Sequence, residues 1–427
     1  MKILLATYWP VPHVGGVWGY MTQLKAKLES LGHEVDMLGN GDDEEKSYVY
    51  IVNENRRLPK NKLMPLLNAK LNSGAYPALH VNKLVNYAEF QRYVYELSAA
   101  YLGLDKYDVI HTQDVISTAC ISRVRPKHTA MVATLHGCVA HEIRLQLKTI
   151  HKSDTEYMAR AYYDALEHTG AVSAEITNVA NKWLRDILPS EFNVDPHQIR
   201  VFQYGFDSES FERKMKDELP IVKPKNKKVI IYTGRLVDVK GVNFLIDALG
   251  ELKKKRNDWV CWIVGHGMKE APLRVQAKAL GLGDDVVFWG KQDGIPYMLT
   301  LADIFVMPSL IDNQPLSLIE AQHTGLACVV SEAGGLPEMV KHYKTGLLFP
   351  PADSGKLSRY LHKLLENEEL RRELGRNAKF WAASHWNLDK MVRRMVFLYE
   401  EAIAKRKGSV DEDESSETVG QLVLGVD

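Results

Sequence analysis

Asp312 and Glu320 stand eight residues apart in PSLIDNQPLSLIEAQHTG, directly after the stretch Ala302-Asp303-Ile304-Phe305-Val306-Met307. An apolar run closed by Pro308-Ser309 reads as a buried strand and its end. Leu316 to Ala321 reads as a helix start, with Pro315 near the first turn. One acid then lies in a loop and the other in the first turns of a helix. Both sit at the carboxyl end of a parallel sheet, where open α/β folds bind ligands. Loop amides and a helix N-terminus can hold phosphate there. A carboxylate beside them can accept two hydrogen bonds at once from sugar or ribose hydroxyls. Two acids at arbitrary spacing are more often a loop aspartate and a solvated helix glutamate, so the pair gains weight only in company.

That company begins with Thr233-Gly234-Arg235-Leu236-Val237-Asp238-Val239-Lys240-Gly241, which follows an apolar strand and opens a helix. Glycine permits close backbone approach. Arg235 and Lys240 place two cations where a helix dipole already favours anions. A diphosphate suits them, held bidentately by Arg and by Lys as a point charge. A lone RxxxxK is more often solvated surface. Gly15-Gly16 forms a glycine turn after the first strand, and Gly265-His266-Gly267 a lone GxG. Neither is a GxGxxG, which disfavours a dinucleotide oxidoreductase. His136-Gly137 follows the strand ending Ala133-Thr134-Leu135 and can face a cleft, while His13, His111 and His141 have weaker claims. None of the 15 histidines shows HExxH or paired spacing, so no metal site is expected.

The elements that must position these residues alternate. Lys2–Thr7 reads as a strand, Trp18–Leu31 as a helix ended by Gly32, and 33–38 as a second strand. Further strands are read at 108–111, 130–135 and 199–202, then at 229–232, 260–264, 286–289, 302–307 and 327–330. Alternating strands and helices predict doubly wound parallel sheets, here two Rossmann-like α/β halves facing a cleft. At 427 residues the chain exceeds one typical core. The expected units are 1–210, 220–385, an amphipathic helix over 386–407 and an acid-rich tail over 408–427 read as disordered. Zero formal net charge argues neither for nucleic acid nor for a strong general pull to anionic membrane, and no nucleic-acid partner is expected. No stretch of about 18 apolar residues is present, and the N-terminus lacks a signal-peptide pattern. Four scattered cysteines form no CxxC, which points to a reducing cytosol.

Taken in order, the Gly-Gly loop, His136, GRLVDVKG at 234–241, VGHG at 264–267 and the acid pair with GLACVVSEAGGLPEMV at 325–340 resemble the retaining, nucleotide-sugar-dependent glycosyltransferases of family 4, which have the GT-B fold. The resemblance covers about residues 1–405. It implies that Arg235 and Lys240 hold the donor diphosphate and that Glu320 binds the nucleotide ribose. It places Asp312 by the donor sugar and the backbone of Gln314, Leu316 and Ser317 around sugar and phosphate. Gly16 approaches the phosphate from the first domain, Gly265 lines the donor site, and His136 contacts the sugar. It also implies no metal or other cofactor, and a final helix that crosses back to the N-terminal domain. Two positions depart from the family pattern. Asp312 stands where Glu is usual, and Tyr204 stands where an Asn often precedes Gly-x-Asp.

On these grounds the chain is expected to move a hexosyl group from a nucleotide sugar, UDP-sugar first and GDP-sugar second, to a glycan, lipid-linked or small-molecule hydroxyl. The basic, apolar segment 56–92 (Arg56, Arg57, Lys60, Lys62, Lys70, Lys83 and Arg92 against Glu89) suggests a peripheral membrane contact. Its competing reading is a solvated helix face. The rival functions are a nucleotide-sugar epimerase, a sugar phosphorylase, and a catalytically weak carbohydrate-binding or coat-type protein on the same fold.

Overall fold

A computed structural model of the protein describes residues 1–12, 15–43, 45–148 and 153–423, with side chains described through 409. His13 lies outside the described residues. The first sheet contains β1 (Lys2–Pro10), β2 (Glu34–Asn40), β3 (Tyr48–Ile51), β4 (Arg56–Pro59), β5 (Val109–Thr112), β6 (Ala130–Leu135), β7 (Ile176–Val179) and β8 (Ile199–Val201). Their order is β4-β3-β2-β1-β5-β6-β7-β8. The pairings are parallel except in the edge hairpin, where β3 runs antiparallel to β2 and β4. The second sheet contains β9 (Lys228–Thr233), β10 (Trp259–Val264), β11 (Val286–Gly290), β12 (Ile304–Met307), β13 (Ala327–Ser331) and β14 (Leu347–Phe349). It is wholly parallel, in the order β11-β10-β9-β12-β13-β14.

Strands such as β6, β10 and β12 are buried at every residue. Helices on both faces of a parallel sheet leave no side for water, so these strands are apolar runs rather than alternating ones. The expected architecture of two doubly wound α/β sheets is therefore what the chain adopts. The antiparallel edge β3–β4 was not expected. Its β4, with the pattern Arg-Arg-Leu-Pro, buries only Leu58 fully and carries a weak apolar signal.

The chain passes from the first sheet to the second just after β8. Phe202 still donates its N–H to Val179, whereas Phe206 and Phe211 already pack in the core of the second sheet. The long helix Leu388–Val423 returns to the first sheet. Its Met391, Val392, Met395, Leu398 and Tyr399 join a core with Ile3, Leu5, Leu24 and Val132. This helix runs on past 407 to Val423, over most of the tail that the sequence reading leaves without structure. Between 409 and 423 there is no proline and a single glycine, Gly420, so nothing there breaks the helix. Residues 424–427 lie outside the described residues.

Strand order reverses between β1 and β5 in the first sheet and between β9 and β12 in the second. Those reversals open crevices at the strands' carboxyl ends. The loops after β9 and β12 adjoin there: Leu310 donates its N–H to the Val239 carbonyl at 2.8 Å. Gly241 has φ +62°, and a Cβ on it would lie 2.2 Å from the Pro308 carbonyl oxygen, so only glycine lets these two loops touch.

Candidate active site

A cavity of about 360 Å³ lies between the two sheets. Every residue singled out for the donor lines it: Gly16, His136, Arg235, Lys240, Gly265, Asp312, Gln314, Leu316, Ser317 and Glu320. Two helices point their N-termini into it from opposite domains. The helix Gly16–Ser30 starts at Gly15, the helix Leu316–Thr324 starts at Pro315, and neither has a side-chain cap. Their first-turn N–H groups are thus available to an anion. The domains touch closely here, since a Cβ on Gly19 would lie 2.9 Å from the Leu316 side chain.

The two cations differ in what they already bind. Lys240 Nζ donates to Asp312 Oδ2 at 2.6 Å, and the Ser309 hydroxyl donates to the same oxygen at 2.8 Å. Both side chains are largely buried, at 16 % and 11 % exposure. Among the described residues the Arg235 guanidinium has no ion-pair or hydrogen-bond partner, and its carbonyl accepts from the Tyr232 hydroxyl at 2.8 Å. Arg235 therefore presents an uncommitted positive charge on this wall, as does Lys291 among the described residues, whereas Lys240 arrives paired.

Glu320 likewise has no protein partner for its carboxylate among the described residues. Burial pushes it up to about 7, with Lys214 pulling the other way. A carboxylate so placed is stabilised by hydroxyls brought to it. The Gln314 side-chain oxygen accepts from the Tyr204 N–H at 3.1 Å, while its amide nitrogen is buried without a partner. The Asn313 side-chain nitrogen is also buried and unpartnered. Gly265 serves the loops as much as any ligand, because a Cβ there would meet the Gly234 carbonyl oxygen at 1.9 Å.

His136 lines the cavity, but both ring nitrogens are engaged. Gln113 donates its amide N–H to the His111 carbonyl at 3.1 Å, so its oxygen is the atom facing His136 Nε2 at 2.9 Å. Nε2 must carry the proton, and Nδ1 then accepts from the Tyr204 hydroxyl at 2.5 Å. Burial lowers this histidine to about 3, which keeps it neutral. A nitrogen of His136 free for a sugar hydroxyl, as the sequence reading expects, is absent here. His111 is a core residue bonded to Tyr399 and Thr134, and His141 binds Glu191.

The lining residues that escaped the sequence reading include Glu142, Trp183, Lys291 and Asn313. The first three follow β6, β7 and β11 in the loop or first helical turns, so a search of every strand's carboxyl end would have found them. Trp183 belongs to a clasp between domains. Glu338 accepts the N–H groups of Lys182 at 3.0 Å and Trp183 at 2.9 Å, capping the helix Lys182–Phe192 from across the cleft. Asn181 beside it donates to the Asn313 carbonyl at 3.2 Å. No group of three or more His, Cys, Asp or Glu among the described residues could hold a metal ion. No helix among them is long and apolar enough to cross a membrane.

Comparison with known proteins matches residues 14–210 to the family model described as Glycosyltransferase Family 4 and residues 214–381 to that described as Glycosyl transferases group 1. An uncharacterised glycosyltransferase of Methanocaldococcus jannaschii is 26 % identical over 94 % of this chain and 99 % of its own length. An Escherichia coli enzyme named UDP-Gal:alpha-D-GlcNAc-diphosphoundecaprenol alpha-1,3-galactosyltransferase is 26 % identical over 71 % of this chain and 78 % of its own. Among solved structures, sucrose-phosphate synthase from Thermosynechococcus elongatus superposes with a TM-score of 0.70 at 20 % identity, covering 95 % of this chain and all of that one.

Proposed function

We propose, for a chain that belongs to glycosyltransferase family 4 and has the GT-B fold, that it transfers a hexosyl group from a nucleoside-diphosphate sugar to an acceptor hydroxyl, with retention and without a metal. The observation that carries this reading is the uncommitted Arg235 guanidinium, set in one cavity with two uncapped helix N-termini and the partnerless Glu320 carboxylate. A diphosphate flanked by a ribose satisfies all of them at once. UDP-sugars come first among donors because the E. coli relative is named for one, and hexosyl transfer rests on the same name.

The reaction breaks the anomeric C–O bond to the diphosphate. The acceptor hydroxyl attacks from the face the leaving group departs, and its proton passes to a leaving phosphate oxygen. Negative charge grows on that phosphate. Arg235 and the N–H groups at Leu316 and Ser317 are fixed before it appears, and fixed donors of this kind are worth about 10²- to 10³-fold in rate. Lys240, held in place by Asp312, adds its charge at the same point. His136, neutral and saturated, packs against the sugar without exchanging a proton. The clasp through Glu338 and Asn181 keeps water out while the bond is broken.

The test is thermal stabilisation by a panel of UDP-, GDP- and ADP-sugars, with Arg235→Ala and Glu320→Ala alongside. A ligand at about 100 times its Kd adds roughly 2.7 kcal/mol. One nucleotide class should stabilise the wild type and neither variant. A folded wild type that responds to no member of the panel defeats the proposal.

A further inference from the structure

The two walls of the cavity differ in kind. The second domain offers cations and N–H groups, which suit the donor. The first-domain wall is made of Gly15, Gly16 and Gly19 with Val17, then His136, Gly137, Glu142, Trp183 and Tyr204. His136 and Tyr204 spend their polar atoms on each other and on Gln113. The Trp183 indole can only donate. Among the described residues of this wall, Glu142 alone presents side-chain oxygens with no hydrogen-bond partner in the protein. It lies in the helix Val139–Leu147, immediately after the His136-Gly137 loop, and one of its carboxylate oxygens would be 3.5 Å from a Cβ on Gly137.

Glu142 also faces the chemistry. Burial raises its carboxyl, while Arg235 and Lys240 pull it down from the opposite wall and Asp312 pushes it up. All three lie at the donor end of the cavity. A carboxylate repels a diphosphate, so in this position it has to face a hydrogen-bond donor, and the hydroxyl groups of carbohydrate are the donors that the reaction brings. From this we propose that Glu142 orients the acceptor: its carboxylate accepts the hydrogen bond of the attacking hydroxyl and aims that oxygen at the anomeric carbon. The bond made and the bond broken are those given above, and the proton still leaves to the phosphate. This inference rests on the glycosyl-transfer reading. It adds a residue for the acceptor, which neither the motifs nor the family comparison assigns.

The experiment uses the full chain, with the tightest-binding nucleotide sugar of the panel as donor. Water and glycerol serve as the two smallest hydroxyl acceptors. Turnover and donor Kd are measured for wild type, Glu142→Ala and Glu142→Gln, with thermal unfolding to confirm that each is folded. Glu142→Ala should lose about tenfold to a hundredfold in turnover on both acceptors, as misaimed reactants do, with Kd for the donor unchanged. Glu142→Gln keeps one accepting oxygen and should fall between Ala and wild type. Unchanged turnover in Glu142→Ala would overturn the assignment. So would a loss of affinity for the nucleotide sugar with none for the free nucleotide, since that would give Glu142 to the donor's own sugar. A wild type that binds no nucleotide sugar strikes the parent reading instead, and the two failures are told apart by the binding measurement alone.

Discussion

Glu320 makes the donor site sensitive to pH in a calculable way. Burial holds its carboxyl at about 7 rather than 4.5. The folded protein keeps a proton there that the unfolded chain gives up between those values. Stability contributed by this group is therefore greatest at low pH and falls as pH rises from 4.5 to 7. The shift corresponds to roughly 3 to 4 kcal/mol as an upper figure. A ribose bound by both oxygens requires the ionised form, so donor binding expels the proton and affinity falls as pH drops through 7. At pH 7.5 about three quarters of Glu320 is ionised and at pH 5.5 about 3 %. Affinity for a UDP-sugar should then weaken roughly 25-fold between the two. The intact sugar diphosphate has no group of its own that titrates in this range, which makes it a cleaner ligand than UDP.

The assay is isothermal titration with a UDP-sugar at pH 5.5, 6.5 and 7.5, paired with thermal unfolding of the empty protein. Glu320→Gln should flatten the pH dependence. It should bind about tenfold to a hundredfold more weakly at pH 7.5, the worth of a hydrogen bond to a charged group. It should also be more stable than wild type at pH 8. If Glu320→Gln keeps the wild-type slope of affinity with pH, the titrating group lies elsewhere and the ribose assignment loses its support.

Two further outcomes follow from contacts already described. Glu338→Ala leaves the N–H groups of Lys182 and Trp183 uncapped and should cost about 1 kcal/mol of stability. It should also enlarge the radius of gyration in small-angle scattering, and an unchanged radius would show that the clasp does not hold the domains together. In the 56–92 segment, Arg56, Lys60 and Arg92 are engaged by protein groups, and Arg57 lies over Tyr48. Lys62, Lys70 and Lys83 have no carboxylate partner among the described residues and share their segment with exposed Leu66, Tyr76, Val81 and Tyr87. We propose that this segment meets anionic lipid. At about 1 kcal/mol per lysine, replacing all three by Glu should lower sedimentation with phosphatidylglycerol vesicles at low salt roughly a hundredfold, and equal sedimentation of wild type and variant would dismiss the contact.

What the sequence made legible is local. Buried strands, the glycine turns after them and the helix starts beyond are each read within a dozen residues. That was enough to bring Arg235, Lys240, Asp312 and Glu320 to one crevice. What it hid depends on partners far along the chain. Lys240 and Asp312 are 72 residues apart, and nothing in either motif says that they pair. His136 looked free because Gln113 and Tyr204, 23 and 68 residues away, leave no trace near it. Tyr204 also gains a physical account. Its hydroxyl donates to the His136 Nδ1 that Gln113 leaves unprotonated, its ring packs against Tyr20 and His136 at 5.0 and 5.1 Å, and its N–H binds Gln314 of the other domain.

The exchange of Glu for Asp at 312 then bears on the whole cleft. The shorter side chain ends at Lys240 Nζ and Ser309 Oγ, with its own carbonyl pressed against Gly334, where a Cβ would come within 2.1 Å. Its Oδ2 is spent on the lysine and the serine, and its Oδ1 lies 3.2 Å from the Asn313 N–H. The Asp312 carboxylate is thus turned to protein groups on one wall, and the saturated His136 offers no free nitrogen on the other. Sugar and acceptor hydroxyls still have to lose their water on entering the cavity, and each one left unpaired costs about 1 to 3 kcal/mol. The carboxylate that remains unspent at this end is Glu142. Restoring the family residue with Asp312→Glu should therefore partly relieve the defect of Glu142→Ala if both carboxylates serve the same hydroxyls. Strictly additive losses in that double-mutant cycle would instead separate their roles.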